Sequence, residues 1–358
     1  FGGSMSKVDE ITRENWILNA FPEWGTWLNE EIDEEVVEKG TFAMWWIGCT
    51  GIWFKTENNT NIAVDLWFGN GKRTKKVKEM QPYHQMRNMT GGKALQPNLR
   101  ANPIVFDPFA VKNVDAVLST HYHNDHIDPF FAAAVLKNCP EDVPFIGPEE
   151  SVKKWLSYGV PEERCKMVKP GDEIKIKDTT IVVLDSFDRT CLVTTEVGED
   201  IEGVCPTNMD QKAVNYLIKM PAGSVYHTGD SHFSIGFAEV GKKYDVDIAF
   251  GSYGDNPVGN QDKMTSIDIL RMAESVGCEV VIPIHYDVWT NFKADPKEIK
   301  YLWQYRKDRS KYKFHPYIWD VGGKYVWPKM KDELEFRYRP GFEDAFDNER
   351  NVPFKSIL

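Results

Sequence analysis

A short apolar run that leads directly into a cluster of histidines is the feature of this sequence that most restricts its fold. His121, His123, Asp125 and His126 follow the residues Val-Leu-Ser-Thr at 117–120 in the pattern H-x-H-x-D-H. Imidazole and carboxylate groups are ligands for divalent zinc, manganese or iron, and a loop at the end of a strand can turn several of them inward. The pattern therefore predicts a metal site at the carboxyl end of a strand.

The rest of the chain supplies strands and helices in alternation. Short β-rich runs occur at 114–118, 143–146, 180–184, 213–218, 224–226, 247–250 and 280–284. Helical stretches lie near 129–136, 149–156, 266–275 and 296–307. This alternation favours a layered α/β architecture over an all-α bundle or a β-sandwich.

The two ends of the chain extend this layered unit. Residues 12–37 have rough helical spacing of Trp, Leu and Glu, which predicts one or two amphipathic helices. Two aromatic and branched runs, 41–47 and 52–55, flank a Gly-Cys-Thr-Gly turn and predict a hairpin, and 61–66 predicts a third strand. The segment after Lys307 is aromatic and is expected to pack back on the body of the protein.

Length and charge limit the class of protein. We expect 5–358 to form a single domain, and we interpret 1–4 as a cloning remnant that precedes a native start at Met5. A net charge of -11 argues against a general nucleic-acid binder. The sequence has no apolar run long enough for a membrane span and no Cys-x-x-Cys pair, so we predict a cytoplasmic protein with free thiols that are not metal ligands.

One segment departs from the acidic character of the chain. Residues 69–100 contain eight lysines and arginines against the single acidic residue Glu79. The segment is predicted to be an insertion, either a solvated loop or a lid that attracts anions to an active site.

The motif and its surroundings resemble the metallo-β-lactamase superfamily, whose signature is this H-x-H-x-D-H loop. The resemblance implies a four-layer αβ/βα sandwich with metal at one edge and further ligands at later strand ends. Asp65 resembles the aspartate that supports the metal loop from behind, Asp230 resembles a carboxylate ligand that often bridges two metals, and His285 resembles the final histidine ligand. His121, His123, Asp125 and His126 would complete the set.

One position departs from the pattern of the superfamily. Most members present a histidine ligand between the motif and Asp230, but this chain has no histidine between His126 and His227. Asp185 and Asp188 follow the strand at 180–184, and we favour Asp188 as the replacement ligand. A carboxylate in place of imidazole favours manganese over zinc, and either one or two ions could bind.

Other residues receive roles through the same resemblance or through their chemistry. Asp125 is expected both to bind or approach the metal and to orient and deprotonate the attacking water. His227 and His232 flank Asp230, and either could be an orienting hydrogen-bond partner or a proton donor to the leaving group, with His232 favoured as donor. Arg100 and Arg189 are candidate phosphate contacts because guanidinium presents a planar fork to oxyanions.

Stretches outside the metal motif resemble the bacterial L-ascorbate-6-phosphate lactonases over nearly the whole chain. The matching stretches are 14–19, 21–29, 95–100, 262–266 and 353–356. The resemblance implies opening of the lactone ring of L-ascorbate 6-phosphate to 3-keto-L-gulonate 6-phosphate. It also implies a small phosphorylated substrate, a homo-oligomeric assembly, and no nucleic-acid or membrane partner.

Three alternatives use the same kind of site. A phosphodiesterase or RNA-processing nuclease would use the same ligands, and the basic segment 69–100 keeps that alternative open. Diiron redox relatives resemble H-x-E-x-D-H and carry a flavin domain, whereas this chain has His123 at that position. A non-catalytic module that keeps the metal for structure is the third alternative.

Overall fold

A computed structural model describes residues 8–20, 22–70, 100–193, 208–256, 262–289 and 293–337. Within this part of the chain the strands form two sheets of seven. In spatial order the first sheet consists of β14 (Lys324–Trp327), β1 (Phe42–Gly48), β2 (Gly51–Thr56), β3 (Asn61–Val64), β4 (Ala116–Leu118), β5 (Phe145–Gly147) and β6 (Cys165–Met167). The second consists of β13 (His315–Pro316), β12 (Val280–Ile284), β11 (Ile248–Ser252), β10 (Gly223–His227), β9 (Val214–Met220), β8 (Thr179–Asp185) and β7 (Glu173–Ile176).

Helices connect the strands and cover the sheets. They are α1 (Arg13–Ala20), α2 (Trp27–Glu34), α3 (Pro129–Asn138), α4 (Glu149–Tyr158), α5 (Arg189–Val193), α6 (Met209–Lys212), α7 (Phe237–Lys243), α8 (Ser266–Val276) and α9 (Lys297–Ser310), with 3-10 turns at Pro108–Ala110 and Glu162–Arg164. Helix α8 contacts β11 and β12, and α4 contacts β5 and β6. The start of α8 is fixed by a capping box in which Thr265 and Asp268 satisfy each other's backbone N–H groups.

The direction of the strands determines where functional side chains can meet. In the first sheet β3, β4, β5 and β6 run parallel, and in the second sheet β10, β11, β12 and β13 do. Strand β8 runs antiparallel to β9, which runs antiparallel to β10, so β8 ends at the same edge as β10. Residues that follow β3, β4, β8, β10 and β12 are thereby brought to one edge of the sandwich.

Most of the buried apolar side chains among the described residues form one large cluster, which includes residues of both sheets. Phe54 on β2 meets Phe250 on β11 with ring centroids 6.5 Å apart, and Phe250 stacks on Trp319. Tyr216 on β9 donates a hydrogen bond of 2.8 Å to the carbonyl oxygen of Ser119, two residues before the first histidine of the motif. The second sheet therefore supports the motif loop that the first sheet supplies. The bounds of the domain, 5–358, stay a prediction.

The layered architecture predicted from the sequence is confirmed. The hairpin pairs Phe42 with Thr56, two N-terminal helices are present, and the segment after Lys307 returns to add β14 beside β1. The sequence did not indicate the short strands β6, β7 and β13. Most of the predicted insertion lies outside the described residues, as do 1–4. Among the described residues, no helix is both long and apolar enough to cross a lipid bilayer.

Candidate metal centre

The loop that follows β4 places two imidazoles side by side. His121 Nε2 lies 2.9 Å from His123 Nδ1, and both side chains are buried. Burial, together with the nearby His126, holds the pKa of His121 well below its usual value, and burial also lowers the pKa of His123. Both rings are therefore neutral at neutral pH and have lone pairs that can bind a cation.

Asp188, which follows β8, completes a first group of candidate ligands with His121 and His123, called the first ligand group below. Asp188 Oδ1 accepts hydrogen bonds from the backbone N–H and hydroxyl of Thr190 at 2.9 and 2.6 Å, and from the backbone N–H of Cys191 at 3.1 Å. Asp188 Oδ2 has no hydrogen-bond partner among the described residues and lies 3.8 Å from His121 Nε2. Asp185, the alternative considered from the sequence, is exposed. The structure thus brings Asp188, and not Asp185, to the histidines.

Asp125, His126 and His285 form a second ligand group. Asp125 Oδ2 lies 3.5 Å from His285 Nε2 and 3.7 Å from His126 Nε2. The His126 and His285 imidazoles hold the pKa of Asp125 below its usual value even though burial opposes this. The Asp125 side chain is 15% exposed, whereas that of Asp188 is 0% exposed. Of the two ligand groups, the second therefore has the carboxylate that water can reach.

Asp230 lies between the two groups, at the carboxyl end of β10. Its Oδ1 lies 3.2 Å from His285 Nε2, and its Oδ2 lies 3.4 Å from His126 Nε2 and 4.0 Å from His121 Nε2. The buried ammonium of Lys263 donates to Oδ2 at 2.8 Å. Although burial opposes it, His285 and Lys263 hold the pKa of Asp230 well below its usual value. Asp230 is thus an ionised carboxylate within reach of both groups.

Asp65 supports the motif loop from behind. Its Oδ1 accepts a hydrogen bond of 2.7 Å from the Thr120 backbone, and its Oδ2 accepts from the hydroxyls of Thr120 and Thr50 at 2.6 and 3.0 Å. His126 Nδ1 lies 3.0 Å from Asp65 Oδ2. Because Nδ1 of His126 faces this carboxylate, its Nε2 is directed to the opposite side, towards the second ligand group.

The spacing and chemistry of the ligand atoms suit a cation. Those of the first group together with Cys191 lie within 4.8 Å of one another, and so do those of the second group together with Cys49. His126 Nε2, His285 Nε2 and Asp188 Oδ2 are buried without a hydrogen-bond partner among the described residues. Buried polar atoms are rarely left unpaired, and neutral imidazoles with carboxylates are a donor set for divalent transition metals. The residues present therefore fit a divalent ion.

Two of the ligand-bearing segments contain non-glycine residues in the left-handed backbone region. Asp65 has a φ of 51° and His285 has a φ of 74°. Residues other than glycine rarely occupy this region, although aspartate, asparagine and histidine do so more often than most, and the backbone energy there is higher by about 1–3 kcal/mol. At both positions the unusual φ turns the chain directly after a strand, where the side chain enters the site.

The two histidines that flank Asp230 differ in their contacts. His227 Nε2 lies 2.8 Å from the carbonyl oxygen of Thr50, and its Nδ1 accepts from the Gly229 backbone N–H at 3.2 Å. Both nitrogens of His227 are therefore engaged by backbone. His232 Nδ1 accepts from the Arg189 backbone N–H at 3.2 Å, so its proton is on Nε2.

The two arginines predicted to contact phosphate also differ. Arg189 is exposed, and its Nη2 donates to the Phe233 carbonyl oxygen at 3.4 Å. Arg100 donates to the side chain of Asn102 at 2.8 Å and to the carbonyl oxygens of Trp67 and Gly69 at 3.0 and 3.1 Å. The donors of Arg100 are thus largely occupied by the protein itself.

Sequence reasoning missed several residues of this centre. Lys263 contacts Asp230, Trp289 Nε1 donates to Asp125 Oδ2 at 2.8 Å, and Thr50 lies behind His126. Both Cys49 and Cys191 lie beside ligands, although the sequence led us to expect no role for cysteine in metal binding. Lys263 belongs to the stretch 262–266 that carried the family resemblance, and this was the one available signal. A lone tryptophan or threonine carries no such signal.

Comparison with known proteins agrees with this geometry. The family model described as a β-lactamase superfamily domain matches residues 60–286. A probable L-ascorbate-6-phosphate lactonase of Salmonella paratyphi B is 58% identical over 354 residues, which cover 99% of this chain and 100% of that protein. The family resemblance inferred from the sequence is thereby confirmed.

Solved structures show the same fold at much lower identity. A metallo hydrolase from Ignicoccus hospitalis superposes with a TM-score of 0.52 at 17% identity, and the match covers 80% of this chain and 98% of that one. A possible metal-dependent hydrolase from Veillonella parvula superposes with a TM-score of 0.54 at 15% identity and with the same coverage. The αβ/βα sandwich predicted from the sequence is thus confirmed.

Proposed function

Because the chain belongs to the metallo-β-lactamase superfamily and, within it, to the family of the probable L-ascorbate-6-phosphate lactonases, we propose that it opens the lactone ring of L-ascorbate 6-phosphate. The product is 3-keto-L-gulonate 6-phosphate, formed when water adds to the ester carbonyl and the ring C–O bond breaks. The identity of 58% over the full length of a relative with that name carries the choice of substrate.

The two ligand groups and Asp230 are proposed to hold the metal. Manganese is favoured and zinc is possible, because three aspartates are combined with four histidines and carboxylates suit the harder ion. One or two ions would fit this set. When bound, such an ion would lower the pKa of a bound water well below its usual value and would polarise a carbonyl oxygen.

Asp125 is proposed to orient the attacking water and accept its proton. It is the carboxylate of the two ligand groups with solvent exposure, 15% of its side chain, and its lowered pKa keeps it ionised at neutral pH. A base must lie within hydrogen-bond reach of the proton that it takes, and a carboxylate that water can reach meets this requirement. Asp188 is too deeply buried for that task.

The leaving alkoxide needs a proton, and the substrate phosphate needs a cation. We propose His232 as the donor, because its Nε2 carries the proton while its Nδ1 is occupied by the Arg189 backbone. Arg189 is exposed and is our proposal for the phosphate contact. The role predicted for Arg100 would compete with its three hydrogen bonds to Asn102, Trp67 and Gly69.

Two further predictions accompany this function. A reaction on a small phosphorylated metabolite agrees with a cytoplasmic location, and the sequence resemblance implies a homo-oligomer. Both stay predictions. Sedimentation analysis of the full chain would measure the number of subunits directly.

Lactone opening can be tested with the full chain loaded with Mn²⁺. We expect L-ascorbate 6-phosphate to gain one water, as followed by mass spectrometry and NMR, and we expect turnover to stop when a chelator removes the metal. Bis-p-nitrophenyl phosphate and RNA serve as competing substrates in parallel reactions. Rapid RNA cleavage without lactone opening would contradict the proposal and favour the nuclease alternative.

The role of His232 has its own test. His232→Gln should lower kcat by about 10²-fold or more, the usual contribution of a general acid, with little change in Mn²⁺ affinity. His315→Gln is a matched control, because His315 lies on β13 and contacts the carbonyl oxygen of Pro316. Equal activity in the two variants would show that another group protonates the alkoxide.

A further inference from the structure

We propose that Trp289 is a positioning residue for Asp125 and that Trp67 and Arg100 hold the indole in place. The inference rests on the proposed function, because it assigns the tryptophan to the carboxylate that we propose as the base. It adds a residue that neither the superfamily motif nor the ligand geometry includes.

A hydrogen bond joins the Trp289 indole to the Asp125 carboxylate. Trp289 Nε1 donates to Asp125 Oδ2 at 2.8 Å, and Trp289 is 8% exposed. The same oxygen is the one that lies 3.5 Å from His285 Nε2 and 3.7 Å from His126 Nε2. The indole N–H and the two imidazoles thus meet at one carboxylate oxygen, and a rotation of the carboxylate away from the imidazoles would break the hydrogen bond to Trp289.

Aromatic contacts hold the Trp289 indole on the side away from Asp125. Trp289 belongs to a small apolar cluster, separate from the main core, with Cys49, Trp67 and Val288. The rings of Trp67 and Trp289 have centroids 5.1 Å apart, and the Arg100 guanidinium lies 4.8 Å from the centroid of Trp67. A cation over an indole face is attracted by the ring quadrupole, so Arg100 stabilises this arrangement.

The backbone around Trp289 is bonded to other segments of the chain. Arg100 and Trp289 form an isolated antiparallel bridge, and the Ala101 N–H donates to the Val288 carbonyl oxygen at 2.6 Å. Asp287 Oδ2 accepts from the Cys49 backbone N–H at 3.1 Å and from Asn102 at 2.5 Å. The residues after His285 are thus tied to two distant segments, which fixes the position of the indole.

These contacts give the Arg100 guanidinium a consistent role. Burial lowers the pKa of Arg100 to about 10, which still leaves it charged at neutral pH. Its hydrogen bonds fix the carbonyl oxygens of Trp67 and Gly69, so it holds the segment that carries the first indole. Trp67 in turn packs on the second indole, and the second indole binds Asp125. The base is therefore positioned by a chain of contacts that starts outside both ligand groups.

Trp289→Phe removes the N–H donor and keeps an aromatic ring. We expect kcat for lactone opening to fall by about 10–100-fold while KM changes by less than about threefold, the range seen when a partner of a metal ligand is lost. The dissociation constant for Mn²⁺, measured by calorimetry on the metal-free protein, should rise by about tenfold. Trp53→Phe is the matched control. Trp53 Nε1 also donates a hydrogen bond, but its partner is Asn61 on the neighbouring strand β3 and not a residue of either ligand group.

A second pair of variants separates the hydrogen bond from packing. Trp289→Gln and Trp289→Met have similar volumes, but only glutamine can donate to Asp125. We expect the glutamine variant to exceed the methionine variant in kcat and in Mn²⁺ affinity by about threefold or more, the value of one hydrogen bond. Equal values in this pair, or a loss in Trp289→Phe no greater than in Trp53→Phe, would overturn the proposal.

The Mn²⁺ measurement also distinguishes this inference from the proposed function. If the wild-type protein does not open L-ascorbate 6-phosphate, the proposed function fails, but the affinities of the variants still test whether Trp289 positions Asp125. If the wild-type protein is active and the affinities and kcat values of the Trp289 variants match those of Trp53→Phe, the positioning role alone is wrong.

Discussion

The two ligand groups are built in different ways. In the first group the carboxylate of Asp188 is held by donors from Thr190 and Cys191, two and three positions along the chain. In the second group the carboxylate of Asp125 is held by Trp289, 164 positions away. The first carboxylate is held by groups that are close to it in the sequence, and the second depends on the assembly of the whole sandwich. The position of Asp188 is thus set by nearby residues, whereas the position of Asp125 depends on tertiary packing.

The residue shared by both groups should show the largest effect. Asp230→Asn keeps the shape of the side chain but removes the charge that lies 3.2 Å from His285 and 3.4 Å from His126. We expect turnover to fall by about 10³-fold or more, since several kcal/mol of charge stabilisation would be lost. Mn²⁺ content, measured by atomic emission, should fall as well. Retention of metal content together with more than a tenth of the turnover would mean that Asp230 does not join the groups.

Asp188, the proposed replacement ligand of the first group, should show the second largest effect. Asp188→Asn is expected to weaken Mn²⁺ binding by about 10²-fold, because a buried charged ligand oxygen becomes a neutral amide. Calorimetric titration of the metal-free protein would measure this change. Asp185→Asn is the matched control, since Asp185 is exposed three residues earlier and should bind Mn²⁺ like the unchanged protein. Similar losses in the two variants would contradict the assignment of Asp188.

Two threonine variants can compare hydrogen-bond donors that are close to a ligand in the sequence with donors that are distant from it. Thr190→Val removes one of three donors to Asp188 Oδ1, whereas Thr50→Val removes the hydroxyl that lies between Asp65 and His126. Loss of such partners weakens metal affinity by about 10–100-fold, and we expect Thr190→Val at the low end and Thr50→Val at the high end. The dissociation constants for Mn²⁺ would test the order. A larger effect in Thr190→Val would show that local backbone donors do not suffice.

The smallest effects are expected at the two thiols beside the groups. Burial raises the pKa of Cys49 and of Cys191, and each sulfur lies 3.8 Å from its neighbour, Asp125 for Cys49 and His123 for Cys191. Cys49→Ala and Cys191→Ala should change Mn²⁺ affinity by no more than about threefold, the value of a weak hydrogen bond. Thiolate absorption in the Co²⁺-loaded protein would be the sign that a sulfur is a ligand after all.

The sequence predicted those parts of the molecule whose cause is local. His121, His123, Asp125 and His126 are held within one loop, and the strand ends before Asp230 and His285 are visible as apolar runs that lead into polar residues. Trp289 and Lys263 could not be found this way, because their contacts with Asp125 and Asp230 depend on how distant strands are arranged in the sandwich.

The same distinction holds for the fold. Strands β8, β11 and β12 each contain an apolar run that is buried in the second sheet, and the sequence predicted all three strands. Strand β6 is three residues long and largely exposed, and β13 has two residues, so neither has a periodic pattern. β14 was predicted only as a segment that packs back, since its pairing with β1 spans nearly the whole chain.

The left-handed backbone at Asp65 and His285 restricts which residues these two positions can accept. Glycine would adopt φ values of 51° and 74° without strain, but it would remove the carboxylate behind the motif loop at one position and an imidazole of the second ligand group at the other. A residue at either position must therefore adopt a positive φ and also present a carboxylate or an imidazole to the site, two demands that glycine meets only in part and that a β-branched residue does not meet at all.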